Sequence, residues 1–467
     1  MVTRRQIVHR ELLVQKGDKY NPDLAAETAR NLRARYPIND AWIELQVLKP
    51  GSLLVRVVTA DEWSLSGGLR SATREAQETE YRFGVQDRNF LGRAQFVSLN
   101  YFVRQRHPNF VQFEYQQPRV WGGPWSLVGT HRSDPLDRLT SLEVARPYYS
   151  LAQSRTISLD YSDQSLEQRQ LGTDGALLAK WIMHSDRFGV EAGVRGGPPY
   201  QKIGWSVSYL YSAVHTRDTA VYAGAPASLT FPIDTTYHLL STGVTFQRLK
   251  YATEHRLQSF GYTEDIALGL QTGVSFGRAF LPDFGNHYYD LLIGNVNVTY
   301  KLGSNIISAG YVRSQWTKFS QTIRRLSTFD VLYYNNRLPF LTVAVQSHYE
   351  TDRSGLLHPL VLGGRTGLRG YPTEFTAGSQ LHVINTEARF FTGLEILSVK
   401  LGGALFSDIG RTWLPDEPMS IAGYHWNIGA GLRISLEHLR RGEIIRIDFV
   451  RLEDGTHEVS IDTGQYF

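Results

Sequence analysis

The sequence predicts an antiparallel β-barrel that crosses a membrane, with about sixteen strands and a small α+β domain in front of it. Three observations predict this fold class: long segments in which every second residue is apolar, no apolar run long enough for a membrane helix, and a helical pattern confined to the start of the chain. Of the 467 residues, 42% are hydrophobic and 12% are aromatic. A chain this rich in apolar side chains can form a large packed structure, which excludes intrinsic disorder.

Charge and cysteine content exclude several classes of function. The 49 basic and 45 acidic residues give a net charge of +4, too weak over this length to indicate a nucleic-acid-binding protein. The chain has no cysteine, so disulfides, thiolate catalysis and cysteine-ligated metal sites are impossible. A membrane helix needs about 20 apolar residues. Thr219–Ile233, among the longest uncharged stretches, is shorter and contains proline and glycine. The opening MVTRRQIVHREL has no apolar core, so we expect no signal peptide in it.

Alternation of apolar and polar residues is the main evidence for the barrel. In Tyr424–Leu436 the even-numbered residues are apolar and the odd-numbered ones are polar or small. Because successive side chains on a strand point to opposite faces, such a segment has one apolar and one polar face. A soluble β-sandwich also alternates, but its domains run near about 100 residues, whereas here we count roughly sixteen to nineteen candidate strands, as in large outer-membrane barrels. Other alternating segments are Asn295–Tyr300, Val97–Arg104 and Ile445–Phe449.

The start of the chain has a different pattern. Thr3 is predicted to cap a first helix, and Asn21, followed by proline, is predicted to cap a second. Two strands are predicted at Ala41–Leu48 and Leu53–Thr59, joined by a Lys-Pro-Gly turn. A segment rich in Ser, Gly, Thr and Glu follows. The predicted organisation is a small α+β domain over residues 1–65, a linker over residues 66–80 and a barrel over residues 81–467.

Several segments occur in the order found in a known family. In chain order they are YRFGVQDRNFLGRAQ at Tyr81–Gln95, QQPRVWGG, VARPYYS, VLGGRTGLRGYP at Val361–Pro372, NTEARFF at Asn385–Phe391 and LFSDIGRTW at Leu405–Trp413. With the small domain ahead of them, they resemble outer-membrane assembly and translocation barrels of the BamA/TamA type (the bacterial surface antigen family), here with a single polypeptide-transport-associated (POTRA) domain. That domain usually opens with a strand, so the resemblance implies that its N-terminus is truncated here.

The resemblance also implies a loop folded into the barrel, which carries a Val-Arg-Gly-Phe/Tyr core in the family. The corresponding residues here are Leu368, Arg369, Gly370 and Tyr371, with leucine at the first position.

The faces of the neighbouring strands suggest partners for this loop. If the apolar sides of the next two strands face lipid, then Glu387 and Asp408 point into the lumen. An arginine can bond carboxylates in a bidentate manner. We therefore predict, as the resemblance implies, that Arg369 pairs with Glu387 and Asp408 and pins the loop. The alternative is an ordinary set of lumenal charges, as in any water-filled barrel.

The chain ends in EVSIDTGQYF, in which Gly464, Tyr466 and Phe467 resemble the family's C-terminal outer-membrane insertion signal. Thr463 and Gln465 stand where that signal often has apolar residues. The resemblance implies a barrel in the bacterial outer membrane, in contact with lipid, with its N-terminal domain in the periplasm. Periplasmic chaperones or accessory proteins would be further partners.

Motifs typical of enzymes occur in contexts that do not favour catalysis. Gly273–Gly277 matches the G-x-S-x-G nucleophile elbow, but the surrounding residues predict a strand with no helix after it. The glycines at 364, 367 and 370 do not have the spacing of a dinucleotide-binding loop. The 14 histidines include no HExxH motif. We therefore expect no catalytic residue, no cofactor and no metal site.

The resemblance implies a function in protein handling without chemistry. The first possibility is a barrel that inserts or translocates polypeptides, with unfolded outer-membrane or secreted proteins as clients. The alternative is the translocation unit of a patatin-type autotransporter or a two-partner secretion pore, which exports a passenger protein. Assembly factors of the family often carry several POTRA domains, whereas at most one is predicted here. The missing first strand of that domain favours export. A simple diffusion porin would explain the alternation but neither the small domain nor the Leu-Arg-Gly-Tyr loop.

Overall fold

A computed structural model describes residues 2–35, 37–74, 78–104, 108–172, 176–225, 231–284, 287–318, 321–353, 360–364, 367–396, 399–414, 417, 420, 422–436 and 443–467. These residues form two α-helices and twenty-four strands. The elements are α1 (Arg5–Arg10), α2 (Pro22–Arg35), β1 (Ile38–Lys49), β2 (Ser52–Asp61), β3 (Leu65–Arg74), β4 (Glu78–Phe90), β5 (Gln95–Arg104), β6 (Phe110–Gln117), β7 (Ser126–Ser133), β8 (Asp137–Arg146), β9 (Arg155–Leu171), β10 (Leu177–Gly196), β11 (Gln201–Val221), β12 (Thr235–Glu254), β13 (Glu264–Leu281), β14 (His287–Leu302), β15 (Asn305–Lys318), β16 (Gln321–Leu338), β17 (Leu341–Asp352), β18 (Leu360–Leu362), β19 (Thr376–Gly378), β20 (Gln380–Ile396), β21 (Val399–Trp413), β22 (His425–Leu436), β23 (Glu443–Leu452) and β24 (His457–Thr463).

Twenty of the described strands close into one barrel, rather than the sixteen predicted. They follow each other in chain order from β3 to β17 and from β20 to β24, with β24 beside β3, while β1–β2 and β18–β19 form two separate sheets. The prediction of a linker over residues 66–80, with the barrel beginning at residue 81, is wrong, because residues 66–74 belong to β3, which pairs with β4, and residues 78–80 belong to β4. Ser and Gly interrupt the apolar alternation there, so the alternation does not reveal this strand. The strand is defined instead by its pairing with β4. Residues 75–77 of that linker lie outside the described residues.

The barrel wall is apolar outside and polar inside. In β22, Trp426 and Ile428 are 42% and 53% exposed, whereas Asn427 and Arg433 are 0% and 1% exposed. This confirms the two-faced strand predicted for the segment, and it is the reverse of a soluble sheet, which buries its apolar face. No helix in the described part of the chain is both long enough and apolar enough to cross a membrane.

The small N-terminal unit has the predicted order helix, helix, strand, strand. Asn21 caps α2 as predicted, since its Oδ1 accepts a hydrogen bond from the Asp23 backbone N–H at 2.9 Å. Thr3 does not cap α1, which has no side-chain cap and begins at Arg5. The Thr3 hydroxyl instead accepts a hydrogen bond from Asn89 Nδ2 in β4 at 3.0 Å. The prediction failed at Thr3 because this contact with the barrel engages the side chain.

This unit is docked on one end of the barrel, here called the inner end. Arg33 of α2 makes two hydrogen bonds to Asp265 at the start of β13, at 2.8 and 2.6 Å. Glu11 accepts a hydrogen bond from Arg119 at 2.7 Å, and the Arg119 guanidinium lies 3.5 Å from the Tyr149 ring centroid. Arg119 and Tyr149 come from the QQPRVWGG and VARPYYS segments. Two of the sequence motifs therefore help to hold the N-terminal unit against the barrel.

Candidate functional site

The loop between β17 and β20 lies inside the barrel. Its two short strands pair from Leu360 opposite Gly378 to Leu362 opposite Thr376. Its apolar side chains pack against the inner faces of β20, β21 and β23 in a cluster formed by Leu362, Leu368, Tyr371, Leu381, Val383, Phe406, Val450 and Leu452. The loop is therefore a packed part of the lumen rather than a surface excursion. We call residues 360–379 the inward loop; the structure describes 360–364 and 367–379 of it.

Two glycines allow the inward loop to approach the wall closely. Gly367 has φ +126° and Gly370 has φ +80°, a backbone region that other residues rarely adopt. A Cβ at Gly367 would lie 2.7 Å from Val383 Cγ1, and one at Gly370 would lie 3.0 Å from Val450 Cγ1. The backbone of the Leu-Arg-Gly-Tyr segment thus touches β20 and β23 directly.

Gly367→Ala should loosen the inward loop, because the added methyl group combines an unfavourable φ with an overpacked contact that costs about 1–3 kcal/mol. Gly393→Ala is the matched control: Gly393 has φ +72° but no atom within 4 Å of its Cβ position. The measurement is the temperature at which the folded barrel converts to its unfolded electrophoretic form. We expect a larger decrease in this temperature for Gly367→Ala than for Gly393→Ala. Equal decreases would mean that the wall contact contributes nothing.

Arg369 lies at the centre of the site. Its Nε and Nη2 donate to the two carboxylate oxygens of Asp408 at 2.8 and 2.6 Å, and its Nη1 donates to Glu387 Oε1 at 2.6 Å. The guanidinium also stacks on the Phe406 ring, 3.6 Å from its centroid. Arg369 is 3% exposed and both acids are 0% exposed. The structure therefore brings together the three charged residues that were predicted from the sequence to pair.

The ion pairs extend beyond these three residues. Glu387 also accepts hydrogen bonds from Arg389 at 2.8 Å and from Arg433 at 3.3 Å. Arg433 in turn bonds Asp448 at 2.6 Å. The chain of ion pairs then continues through Arg446 to Asp462. Four arginines thus face four carboxylates, in the set Arg369, Arg389, Arg433, Arg446, Glu387, Asp408, Asp448 and Asp462, here called the lumenal ion cluster.

Most of this cluster was missed by the sequence analysis, although a signal was present. Arg433 lies on the polar side of Tyr424–Leu436, and Arg446 and Asp448 lie on the polar side of Ile445–Phe449. Treating every polar residue on those sides as lumenal would have found them. Their pairing depends on which strands are neighbours, and a single sequence does not show that.

Two buried asparagines tie the backbone of the inward loop to the cluster. Asn385 Nδ2 donates to the Gly367 carbonyl at 2.7 Å and to Asp408 Oδ1 at 2.8 Å. Asn427 Nδ2 donates to the Arg369 carbonyl at 2.8 Å and to Asp408 Oδ2 at 3.0 Å. Asp408 therefore accepts bonds from both amides and from Arg369. Such a satisfied polar network holds one loop conformation well, because leaving any buried member unpaired is costly.

The last residues of the chain also turn into the lumen. Tyr466 lies against the Arg369 guanidinium, 4.2 Å from ring centroid to Cζ, and its hydroxyl donates to the Gly364 carbonyl at 2.8 Å. Burial raises the pKa of Tyr466 well above its usual value, so the hydroxyl stays a donor. The backbone oxygen of Phe467 accepts a hydrogen bond from Arg389 Nη2 at 2.8 Å. Gly464 precedes this turn with φ +84°. The insertion-signal role of Gly464, Tyr466 and Phe467 concerns the chain before folding and stays a prediction.

A second segment, residues 255–263 between β12 and β13, enters from the inner end. Leu257 is 2% exposed and belongs to a cluster against which Phe467 packs. Arg389 Nη1 donates to the Leu257 carbonyl at 2.7 Å. Through Glu387 and Arg389, the inward loop is thus connected to the last residues of the chain and to this inner segment. The arrangement holds the inward loop, the last residues and the inner segment together within the lumen.

The enzyme-like motif and the possible metal ligands lie outside the inward loop and the lumenal ion cluster. Gly273–Gly277 is inside β13, which pairs with β12 and β14, so Ser275 is not on a strand-to-helix turn. Within the described residues, one group has metal-ligand geometry: Asp163, His184 and Asp186, whose ligand atoms lie within 4.8 Å of one another. It lies on β9 and β10, outside the inward loop, and Asp163 already accepts a hydrogen bond from Arg138.

Comparison with known proteins finds similar shapes but no close relative. No protein-family description and no curated protein matches the chain. Among solved structures, CdiB from Escherichia coli is 11% identical with a TM-score of 0.48, covering 99% of this chain and 73% of that one. CdiB from Acinetobacter baumannii is 11% identical with a TM-score of 0.45, covering 99% and 71%. BamA from Haemophilus ducreyi lacking POTRA domains 1–3 is 11% identical with a TM-score of 0.35, covering 99% and 82%. These likenesses are too weak, in identity and in TM-score, to assign a function to this chain.

Proposed function

We propose that this chain is an outer-membrane barrel that inserts or translocates polypeptides. The N-terminal unit would act as a POTRA-like receiving domain on the periplasmic side. The observation that carries the proposal is an exposed apolar face on the two-stranded sheet of that unit, at the same end as the barrel's inner mouth. The apolar barrel wall, the two-stranded sheet and the partly filled lumen each support one part of the proposal.

The barrel wall supports the placement in a membrane. Its exposed side chains include large apolar residues on most strands, such as Phe188, Trp205, Val274 and Leu405. An apolar outer wall around a polar interior is stable in a bilayer, where a closed barrel also satisfies every backbone group. In water the same wall would be a large aggregation-prone surface.

The sheet formed by β1 and β2 supports the binding of polypeptide. Register places Leu45 opposite Val55 and Val47 opposite Leu53, so all four side chains share one face. Leu45, Val47 and Leu53 are 49%, 71% and 42% exposed. With only two strands in the described sheet, its outer edges offer unpaired backbone groups. An extended apolar segment of a client can add to such an edge and cover such a face.

The lumen and the closure of the barrel between β24 and β3, here called the seam, support a step that follows the binding of a client. The inward loop and the last residues of the chain fill part of the lumen, and β24, with 7 residues, neighbours β3 where the barrel closes. A client would either add strands at this seam or pass through the lumen once the loop has moved. Burial of the client's own apolar surface would drive insertion without nucleotide or cofactor.

Export of a passenger protein is the second candidate function. Part of the lumen is occupied by a loop that is anchored on neighbouring strands of the described barrel by apolar packing and hydrogen bonds, which can dissociate. A patatin-type autotransporter or a two-partner secretion pore would export its passenger through the lumen once the loop has moved. Transport of an unfolded passenger across liposomes, without faster folding of a β-barrel client, would favour export over insertion.

The test reconstitutes the full chain in liposomes and measures the folding rate of a denatured β-barrel client by its protease-resistant form. Val47→Asp with Leu53→Asp should slow client folding roughly 30-fold, because two apolar contacts worth about 1 kcal/mol each are replaced by charge. Gln46→Asp with Arg56→Gln, which changes the net charge equally on the opposite face, is the control. Client folding or passenger transport no faster than in protein-free liposomes would refute the proposal.

A further inference from the structure

A groove lies on the outer wall of the barrel near its inner end. It has a volume of about 280 Å³, and its walls are formed mainly by the apolar residues Ile157, Val194, Trp205 and Val207. Two arginines, Arg146 and Arg155, complete the lining. Apolar walls with two cationic groups on one side suit an amphipathic ligand rather than a small polar one.

Strand register places the groove on the lipid-facing side of the wall. Arg146 lies opposite Ile157, Ile157 opposite Ala192, and Ala192 opposite Val207, in one row across β8 to β11. Further along the same face of β9, Leu159 and Tyr161 are 40% and 45% exposed. The groove therefore continues the apolar outer wall, and lipid chains would reach it directly.

The two arginines lie at the inner edge of this wall. Arg146 is the last residue of β8 and Arg155 is the first residue of β9. Trp205, near the inner end of β11, lies in the adjacent row. Tryptophan is enriched where a membrane meets water, and arginine at that depth reaches the headgroups while its methylene groups stay in apolar surroundings.

The cationic groups are not neutralised by the protein. Within the described part of the chain, neither Arg146 nor Arg155 has a carboxylate partner. The Nε of Arg146 is buried and has no hydrogen-bond acceptor there. A buried donor without an acceptor is costly. The Nη groups of an arginine side chain can bind a phosphate in a bidentate manner.

We propose that this groove binds an anionic phospholipid of the inner leaflet, with its phosphate on Arg146 and Arg155 and one acyl chain along Ile157, Val194 and Val207. The inference rests on the proposed placement in a membrane. Two unneutralised cations beside each other favour a headgroup with net negative charge over a zwitterionic one. Such a lipid would stabilise the barrel wall next to the strands that contact the N-terminal unit.

The test is native mass spectrometry of the full chain released from nanodiscs that contain phosphatidylglycerol or phosphatidylethanolamine. The wild type should retain phosphatidylglycerol, and Arg146→Gln with Arg155→Gln should weaken retention roughly 10–30-fold. Ala192→Phe, which fills the groove and keeps both arginines, should weaken it as well. Arg217→Gln with Arg187→Gln, the same charge change away from the groove on β11 and β10, should not.

Each outcome decides the proposal. Equal retention by the double arginine variant and the wild type would overturn it, as would equal retention of both lipids by the wild type. Displacement of the lipid by inorganic phosphate, with no effect of Ala192→Phe, would show a free-anion site and would also overturn it. A chain that never gives the folded electrophoretic form in any bilayer would instead refute the membrane placement on which the proposal rests.

Discussion

Arg369→Ala should release the inward loop and open the lumen. The substitution leaves the carboxylate of Asp408, which is 0% exposed, with the Asn385 and Asn427 amides and the backbone N–H of residue 369 but without a described cation. Removing one partner of a buried ion pair typically costs about 3–5 kcal/mol. The last residues of the chain lose a contact too, because the Tyr466 ring stacks on the same guanidinium. We expect a lower conversion temperature of the folded barrel, more frequent conductance in planar bilayers and lower activity, with strand content unchanged.

The controls separate the ion pair from other effects of the change. Arg451→Ala removes an exposed arginine from β23 and should change nothing. Arg369→Met with Asp408→Asn removes both charges, so it should be less harmful than Arg369→Ala if the cost is an uncompensated buried carboxylate. Conversion temperature, conductance and activity of Arg369→Ala all equal to those of the wild type would mean that the loop is not pinned by this residue.

Deletion of Tyr466 and Phe467 is expected to destabilise the folded barrel about as much as Arg369→Ala does. Phe467 packs on the Leu257 cluster, its backbone oxygen accepts a hydrogen bond from Arg389, and the Tyr466 hydroxyl donates to the Gly364 carbonyl. Losing two packed aromatic side chains costs about 1.5–3 kcal/mol each. The truncated chain should therefore convert at a lower temperature and conduct more often in planar bilayers. In cells it should also reach the outer membrane less efficiently, if the insertion signal is used as proposed.

Two readouts distinguish these roles of the last residues. Refolding into liposomes without cellular factors reports only the lumenal contacts, whereas surface level in cells also reports recognition of the signal. Tyr466→Phe keeps the ring on Arg369 but removes the hydrogen bond to Gly364, so it should lie between the wild type and the truncation. Normal surface level of the truncated chain would reject the signal, and a normal conversion temperature would reject the lumenal contact.

The sequence predicted those features that depend on alternation along a strand. Glu387 and Asp408 were placed in the lumen because strand parity puts them opposite apolar neighbours, and both are buried there. The pairing of Arg433 with Glu387 was not predicted, because it joins β22 to β20 across β21, and strand alternation does not show which side chains meet across the lumen. β3 was missed because Ser and Gly at positions 66–68 interrupt the apolar pattern.

The path of the last residues could not be predicted from the pattern alone. Phe467 has the same parity as Val459 and Ile461, which face outward on β24, so the pattern favours lipid contact for its ring. The structure turns the chain inward after Gly464, where the rings meet Arg369 and the Leu257 cluster. Those partners come from a loop and a segment between strands, which a pattern of period two does not describe.

The position of the inward loop is central to the proposed function, and a disulfide tests that position directly. The chain has no cysteine, so an introduced pair can form only one intramolecular bond. A Cβ at position 367 would lie 3.2 Å from Val383 Cβ, close to the separation that a disulfide spans. Gly367→Cys with Val383→Cys should therefore crosslink under mild oxidation in the folded, membrane-inserted protein. Gly367→Cys with Ile384→Cys, whose second cysteine faces the other side of β20, should not. Failure of the first pair to crosslink, or equal crosslinking of both pairs, would contradict a loop held against the lumenal wall.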